Sequence, residues 1–237
     1  MTTTGTGRPA AEGLRERKKR AMRRQLSDTA ARMFLERGFD AVRVADVGEA
    51  CGVSEKTVFN YFPSKEALLL DRIEATADAL RTHLPDPAHT PVGAMLAILE
   101  RERDDLATAL AADPDQDGAL ARYRQFGDLI RNTPSLRAYR SDTADRFVDI
   151  AAEALAVRTG LHPGDPEPQI AAATLLGLWR VQFRALRTHV RPGHPLPAAI
   201  DAVTRDVRRA ARLAEAGLAA FPAAAAEPST AGRSEHH

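Results

Sequence analysis

The side chains best suited to chemistry in this sequence lie in one short stretch, GVSEKTVFNYFPSKEALLL, at residues 52–70. Lysine, threonine, asparagine and tyrosine occur there within about two turns of a possible helix. An asparagine amide can hydrogen-bond to a base edge, and hydroxyl and ammonium groups bind phosphate oxygens. The stretch therefore predicts a surface that contacts nucleic acid.

Two short helices joined by Gly-Val-Ser must position these side chains, which is the helix-turn-helix pattern. Gly52 can adopt the left-handed conformation that ends the first of the two, and the small residues Gly48 and Cys51 allow a close crossing. The predicted inward face consists of Val44, Val47, Val53, Val58 and Phe62. The remaining side chains of the second short helix then face outward: Glu55, Lys56, Thr57, Phe59, Asn60 and Tyr61.

An ordinary solvent-exposed helix is the alternative for this segment. Phe59 could pack on the preceding helix or contact a partner, and the sequence favours neither. Tyr61 could also pack, although a phosphate contact is the preferred interpretation. Lys65, at the start of the next helix, is predicted to hold a phosphate.

The charge distribution points the same way. Residues 1–65 contain 13 Lys and Arg against 8 Asp and Glu, although the whole chain of 237 residues has a net charge of only +1. Seven basic residues fall in LRERKKRAMRR, residues 14–24. Such a run is often only a solvated face, but beside a helix-turn-helix it predicts contact with DNA phosphates or the minor groove.

The rest of the chain reads as helix, so the predicted fold is all-α. Apolar periodicity and Gly, Pro and Ser punctuation predict about nine helices. Their approximate ranges are 18–37, 44–51, 55–61, 65–83, 91–112, 115–132, 135–159, 167–189 and 197–219. The predicted division is a tail at 1–13, a DNA-binding domain at 14–83 (helix-turn-helix about 43–62), a larger helical domain at 84–221 and a tail at 222–237. Both tails are expected to be disordered.

Residues 24–70 closely resemble the DNA-binding domain of TetR-family transcriptional repressors. The similarity lies in the entry pattern Ala30, Phe34, Gly38 and Phe39, the turn Gly52-Val53-Ser54, Thr57, and the exit YFPSKEAL. The resemblance covers about the first 83 residues by motif, and the remainder only by its helical layout. It implies a ligand-responsive regulator, most simply a repressor, that binds a palindromic operator as a homodimer.

The resemblance also assigns residues. The predicted DNA-binding set is Arg43, Ser54, Glu55, Lys56, Thr57, Phe59, Asn60, Tyr61 and Lys65. Arg43 departs from the Thr or Ser that usually caps the second helix. A guanidinium cannot accept the capping hydrogen bond, which predicts a weaker cap, by about 1 kcal/mol, and a phosphate contact instead. Gly48 departs from the usual alanine.

In such proteins the larger domain encloses an effector cavity and the last two helices form the dimer. The candidate ligand-binding residues are Met95, Leu99, Tyr123, Phe126, Phe147, Ile150, Trp179 and Phe183. The candidate dimer residues are Leu175, Leu176, Leu178, Trp179, Phe183, Ile200, Val203, Val207, Ala210, Ala211 and Ala214. Ordinary core is the alternative for both sets. The effector is unknown; an apolar or acyl-CoA-like molecule is the hypothesis.

Other classes of function find less support. The sequence has no Gly-rich phosphate loop, nucleophile elbow or metal-ligand spacing, so an enzyme, a metal site and a cofactor are not predicted. Cys51 is the single cysteine, which fits a reducing compartment and a cytoplasmic protein. An architectural or division-control protein with the same DNA-binding head but no small-molecule switch remains the alternative.

Overall fold

The computed structural model of the protein describes residues 13–70 and 73–221. Their regular elements are all helices, which confirms the all-α prediction. The helices are α1 Leu14–Arg37, α2 Val44–Ala50, α3 Glu55–Tyr61, α4 Lys65–Leu69, α5 Ile73–His83, α6 Pro91–Ala111, α7 Gln116–Asn132, α8 Pro134–Thr159, α9 Pro166–His189 and α10 Leu196–Gly217. None of these is long and apolar enough to cross a lipid bilayer. The predicted disordered tails lie outside the described residues, except for Gly13.

The chain forms two compact units, one ending at Asp71 and one beginning at Arg72. In the first, the predicted apolar face of α1 is buried, with Leu26, Ala30 and Phe34 fully inaccessible. Val47 and Val58 complete this core from α2 and α3.

The predicted single helix at 65–83 is wrong. The structure has α4 ending at Leu69 and α5 beginning at Ile73, with residues 71–72 outside the described residues. Leu70 has a non-helical ψ of 36°, and the Ser27 hydroxyl donates to the Leu68 carbonyl at 2.9 Å. A side chain therefore satisfies a carbonyl at the end of α4, where the helix stops.

The second unit packs α5–α10 around one apolar core. Ala77, Leu80 and Leu84 belong to that core. The two units thus divide earlier in the chain than the predicted boundary after residue 83, because α5 buries its apolar side with the second unit.

Candidate nucleic-acid interface and effector domain

Helix α3 is held in place by an N-terminal cap and by two buried side chains. Ser54 is its N-cap, and its hydroxyl accepts a hydrogen bond from the Thr57 N–H at 3.2 Å. The Thr57 hydroxyl lies 2.9 Å from the same Ser54 oxygen. Val58 and Phe62, 0% and 1% exposed, anchor the helix to the core.

The turn before α3 has the geometry predicted from its small residues. Gly52 has a φ of +71°, in the left-handed region that favours glycine. A Cβ on Gly48 would lie 2.8 Å from the Val53 carbonyl oxygen, so α2 and the turn approach more closely than a larger residue would allow without a shift. The same position lies 3.3 Å from a side-chain carbon of Val58 on α3, which confirms the close crossing of the two helices.

The outward side of α3 carries the predicted reading residues. Ser54, Glu55, Lys56 and Asn60 are exposed, and Thr57 is half-buried. Phe59 is 46% exposed, so the chain covers only part of its ring. Glu55, Lys56, Phe59 and Asn60 are therefore accessible to a partner, although their role in DNA binding stays a prediction.

A basic hollow lies between the start of α1 and α3. It has a volume of about 840 Å³ and is lined by Arg15, Lys18, Lys19, Met22, Thr57, Asn60 and Tyr61. Helix α1 begins at Leu14, so the basic arm is part of the helix, which was predicted to begin only at residue 18. Its cations are brought beside three of the predicted DNA-contact residues.

Two cations near the predicted DNA-contact residues are held by aromatic rings of the first unit. The Arg23 guanidinium donates to the Tyr61 carbonyl at 2.9 Å and lies 4.7 Å from the centre of the Phe62 ring. The Lys65 ammonium lies 4.4 Å from the centre of the Phe39 ring. Lys65 is thus held on an aromatic face, which restricts where it could meet a phosphate.

Arg43 has a partner that the sequence did not predict, and its contact with phosphate stays a prediction. It is the N-cap of α2 without a side-chain cap, as expected, but Asp46 accepts from its backbone N–H at 2.9 Å. The same carboxylate accepts from Arg43 Nε at 3.1 Å and Nη2 at 2.8 Å. These hydrogen bonds from Arg43 lower the pKa of Asp46. The cap is therefore replaced from the third position of the helix, and the guanidinium is already paired with a carboxylate.

The predicted ligand residues divide into core and half-buried positions. Met95 and Leu99 are 0% exposed, Phe147 is 2% and Ile150 is 8%. Tyr123, Phe126, Trp179 and Phe183 are half-buried. Of the eight, Ile150 lines a hollow of about 210 Å³, together with Arg81, Pro85, Glu153, Ala154 and Val157. Ligand binding by these residues stays a prediction.

Three of those side chains form an aromatic row. Phe147 and Trp179 meet edge to face at 5.8 Å, and Trp179 stacks on Phe183 at 6.1 Å. The Trp179 indole N–H donates to Glu102 Oε2 at 3.2 Å, and Glu102 Oε1 accepts from the Thr76 hydroxyl at 2.6 Å. This connection joins α5, α6 and α9. Sequence reasoning missed it because no local pattern relates positions so far apart.

A second polar group missed from the sequence is Gln182, which is 3% exposed. Its amide nitrogen donates to the Leu99 carbonyl at 3.0 Å, and its amide oxygen has no hydrogen-bond partner. The sequence did contain a signal for it, because Gln182 is an amide among the apolar residues of the helix predicted at 167–189.

Most of the predicted dimer residues belong to the core of the single chain, so that prediction is wrong for them. The buried ones are Leu175, Leu176, Leu178, Val203, Val207, Ala211 and Ala214, all at most 6% exposed. The outer side of α9 and α10 instead carries Ile170 and Leu213, 63% and 77% exposed. Periodicity identified the apolar face of each helix but could not tell which partner covers it.

Known proteins share both units. The family described as "Bacterial regulatory proteins, tetR family" matches residues 26–71, and the "MftR C-terminal domain" matches residues 103–212. The HTH-type transcriptional regulator TcmR of Streptomyces glaucescens is 31% identical over 74% of this chain and 77% of its own length. The putative mycofactocin biosynthesis transcriptional regulator MftR of Mycobacterium tuberculosis is 29% identical over 65% and 73%.

A solved structure supports the fold. The SmeT–triclosan complex aligns with a TM-score of 0.51 at 19% identity, covering 92% of this chain and all of that one. The matched families and relatives, together with the helix-turn-helix geometry, identify the chain as a member of the TetR family of helix-turn-helix transcriptional regulators.

Proposed function

We propose that the protein binds a palindromic operator as a homodimer, with α3 in the major groove and the start of α1 on neighbouring phosphates. TetR regulators bind operator DNA as dimers and respond to small-molecule ligands. The observation that carries the proposal for this chain is the basic hollow, in which Lys18 and Lys19 lie beside Asn60 and Tyr61.

Base readout is proposed for the exposed polar residues of α3. Asn60 and Lys56 present amide and ammonium groups that match base edges in the major groove, and Glu55 can accept from a cytosine amino group. Because Val58 and Phe62 fix the opposite side of α3, these groups project from a rigid support. Phe59 would add an apolar contact, for example with a thymine methyl group.

Phosphate contact is proposed for the residues around the hollow. Tyr61 offers a hydroxyl, and Arg15, Lys18 and Lys19 offer three positive charges on one side of α1. Lys65, although stacked on Phe39, keeps its ammonium donors available to an oxygen. Contacts of this kind hold the protein in register without reading sequence.

The dimer face is proposed for the outer side of α9 and α10. Ile170, Gly177 and Val181 follow one another at helical spacing, and nothing lies within 4 Å of a Cβ added to Gly177. Leu213 is exposed near the end of α10. A second copy covering this face would bury apolar surface that a single protomer leaves in water.

The second unit is proposed to bind the effector, an apolar or acyl-CoA-like molecule, near the aromatic row. Ligand binding would act by favouring one of two arrangements of the protein with different affinity for DNA. The network from Trp179 through Glu102 to Thr76 on α5 supports this, because it links the proposed ligand region to the helix that follows the first unit.

A DNA-binding protein without a small-molecule switch is the second candidate. The observation in its favour is the complete burial of Met95, Leu99 and Phe147, which leaves their side chains occupied by protein contacts. A metabolite that raises the melting temperature while releasing operator DNA would support the ligand-responsive function. A screen in which no compound does both would favour this second candidate.

The direct experiment is selection of an operator from random DNA, followed by gel shifts on single-base variants. Asn60→Ala and Lys56→Ala should change which base is preferred, whereas Tyr61→Phe should weaken binding to all sequences alike. Uniform losses in Asn60→Ala and Lys56→Ala would contradict base readout by α3.

A further inference from the structure

One arginine of α8 lies over an aromatic ring of α9, and two arginines of α9 lie on the same side of that helix as the ring. The Arg140 guanidinium lies 5.4 Å from the centre of the Phe183 ring. On α9, Arg180 precedes Phe183 by three residues and Arg187 follows it by four, positions that lie on the same side of a helix. Arg140, Arg180 and Arg187 are called the arginine cluster below.

The arginine cluster lacks carboxylate partners. In the part of the chain that the structure describes, none of its members forms an ion pair, whereas other arginines of the second unit do. Arg122, for example, pairs with Asp113 at 2.5 Å and Arg103 pairs with Asp104 at 2.8 Å. Partial burial, and then the charges of Arg187 and Arg180, lower the pKa of Arg140.

Concentrating three cations in this way is unfavourable unless an anion accompanies them. A guanidinium matches the geometry of phosphate oxygens and forms paired hydrogen bonds with them. A phosphate monoester or diphosphate carries two or more negative charges, which three arginines complement better than they complement a single carboxylate.

We propose that the arginine cluster is the recognition site for a phosphate group on a small-molecule ligand. The aromatic row runs from the cluster into the core, since Phe183 stacks on Trp179 and Trp179 meets the buried Phe147. The ligand would place its phosphate on the cluster and an apolar part near this row.

Ligand binding at the cluster would reach the hydrogen-bonded network of the second unit. Trp179 lies 6.1 Å from Phe183, ring centre to ring centre, and donates to Glu102, which accepts from Thr76 on α5. The inference rests on the proposed ligand response, but phosphate binding itself can be measured without DNA.

Trp179 is the only tryptophan in the sequence, so its fluorescence reports on the site directly. The full chain is titrated with inorganic pyrophosphate and with phenyl phosphate at constant ionic strength. We expect a saturable change in fluorescence with both probes, and none with benzyl alcohol or with added chloride. A signal that does not saturate would overturn the proposal.

Arg140→Gln should raise the half-saturating concentration at least about tenfold, since it removes one charge-assisted partner of the phosphate. Arg187→Gln, at an exposed position, tests the same cluster should the first variant fail to fold. Arg81→Gln is the matched control. Arg81 lies beside Ile150, which follows Arg140 by ten positions on α8, about 15 Å along the helix.

The proposal is refuted if the half-saturating concentration is the same in Arg140→Gln, Arg81→Gln and the unmodified protein. That result would not bear on the proposed binding of operator DNA. A second result would also overturn the proposal: the unmodified protein does not bind phosphate, and Arg187→Gln no longer forms a dimer. The arginines would then belong to a contact between subunits. Phosphate binding through Arg140 that leaves operator affinity unchanged would support the site and contradict its proposed role in releasing DNA.

Discussion

Removing the positive charge of the hollow should change how DNA binding depends on salt. The perturbation is the triple substitution of Arg15, Lys18 and Lys19 by glutamine, which has a helix propensity close to that of Lys and Arg. The three side chains line the hollow with Asn60 and Tyr61 and are exposed, so the fold should be preserved.

The size of the effect follows from counterion release. Each neutralised phosphate contributes about 0.9 to the slope of log K against log salt, so six contacts in a homodimer contribute about 5. Between 50 and 200 mM salt, such contacts account for roughly a thousandfold loss of affinity. The variant should lose most of that salt dependence, and its deficit relative to the unmodified protein should be largest at low salt.

Fluorescence anisotropy with labelled operator across this salt range measures the slope. The matched control replaces Arg32, Arg37 and Arg124 by glutamine, since these exposed residues lie outside the basic run at 14–24 and do not line the hollow. It makes the same change in net charge. If the two variants have the same slope, net charge and not the hollow governs binding, and the reasoning is refuted.

Three further predictions concern the dimer, the turn and a cap. Gly177→Glu should yield a folded monomer that no longer binds operator. A side chain at this position has open space within one protomer but places a charge in the proposed interface. Light scattering compares this variant with Gly127→Glu on α7, a position that also has open space. Gly48→Val should lower the free energy of unfolding by about 1–3 kcal/mol in denaturant titrations, since its Cβ would lie 2.8 Å from a backbone oxygen; an unchanged midpoint would show that the turn can shift freely. The pKa of the Asp46 carboxyl, measured by NMR titration, should lie below its ordinary value of 3.8, and Arg43→Gln should raise it towards that value. The stabilisation by this pair is therefore present above pH 3.8 and is lost as the pH falls through the lowered pKa. An Asp46 titration that Arg43→Gln leaves unchanged would contradict the pairing.

The helix-turn-helix could be predicted from the sequence because its determinants are local. Gly52 has the left-handed φ that its position predicted, and Ser54 caps α3 as its side chain indicated. The outward residues of α3 followed from identifying the inward ones, Val58 and Phe62. Whether those outward residues contact DNA stays a prediction.

Two other features depended on which side chains meet in the folded chain. The sequence predicted that the Arg43 guanidinium binds a DNA phosphate and gave it no partner within the chain. In the structure it donates a hydrogen bond to the Asp46 carboxylate one turn away on α2. The ring of Phe39 holds the Lys65 ammonium, and no spacing rule relates the two positions. The contact of Lys65 with Phe39 forms only when their segments pack together, whereas the Arg43–Asp46 pair is local and sequence reasoning overlooked it.

The sequence by itself determined the helical fold, the turn and the side of α3 that faces away from the core, because caps, glycine conformation and apolar periodicity act within a few residues. Only the tertiary structure decided which apolar faces are covered by the chain itself. Leu175 and Val207 look the same in sequence whether they pack within one protomer or between two, and the structure buries both within one. The same holds for charge: Arg122 and Arg140 are alike in sequence, but folding brings a carboxylate to the first and two further arginines to the second.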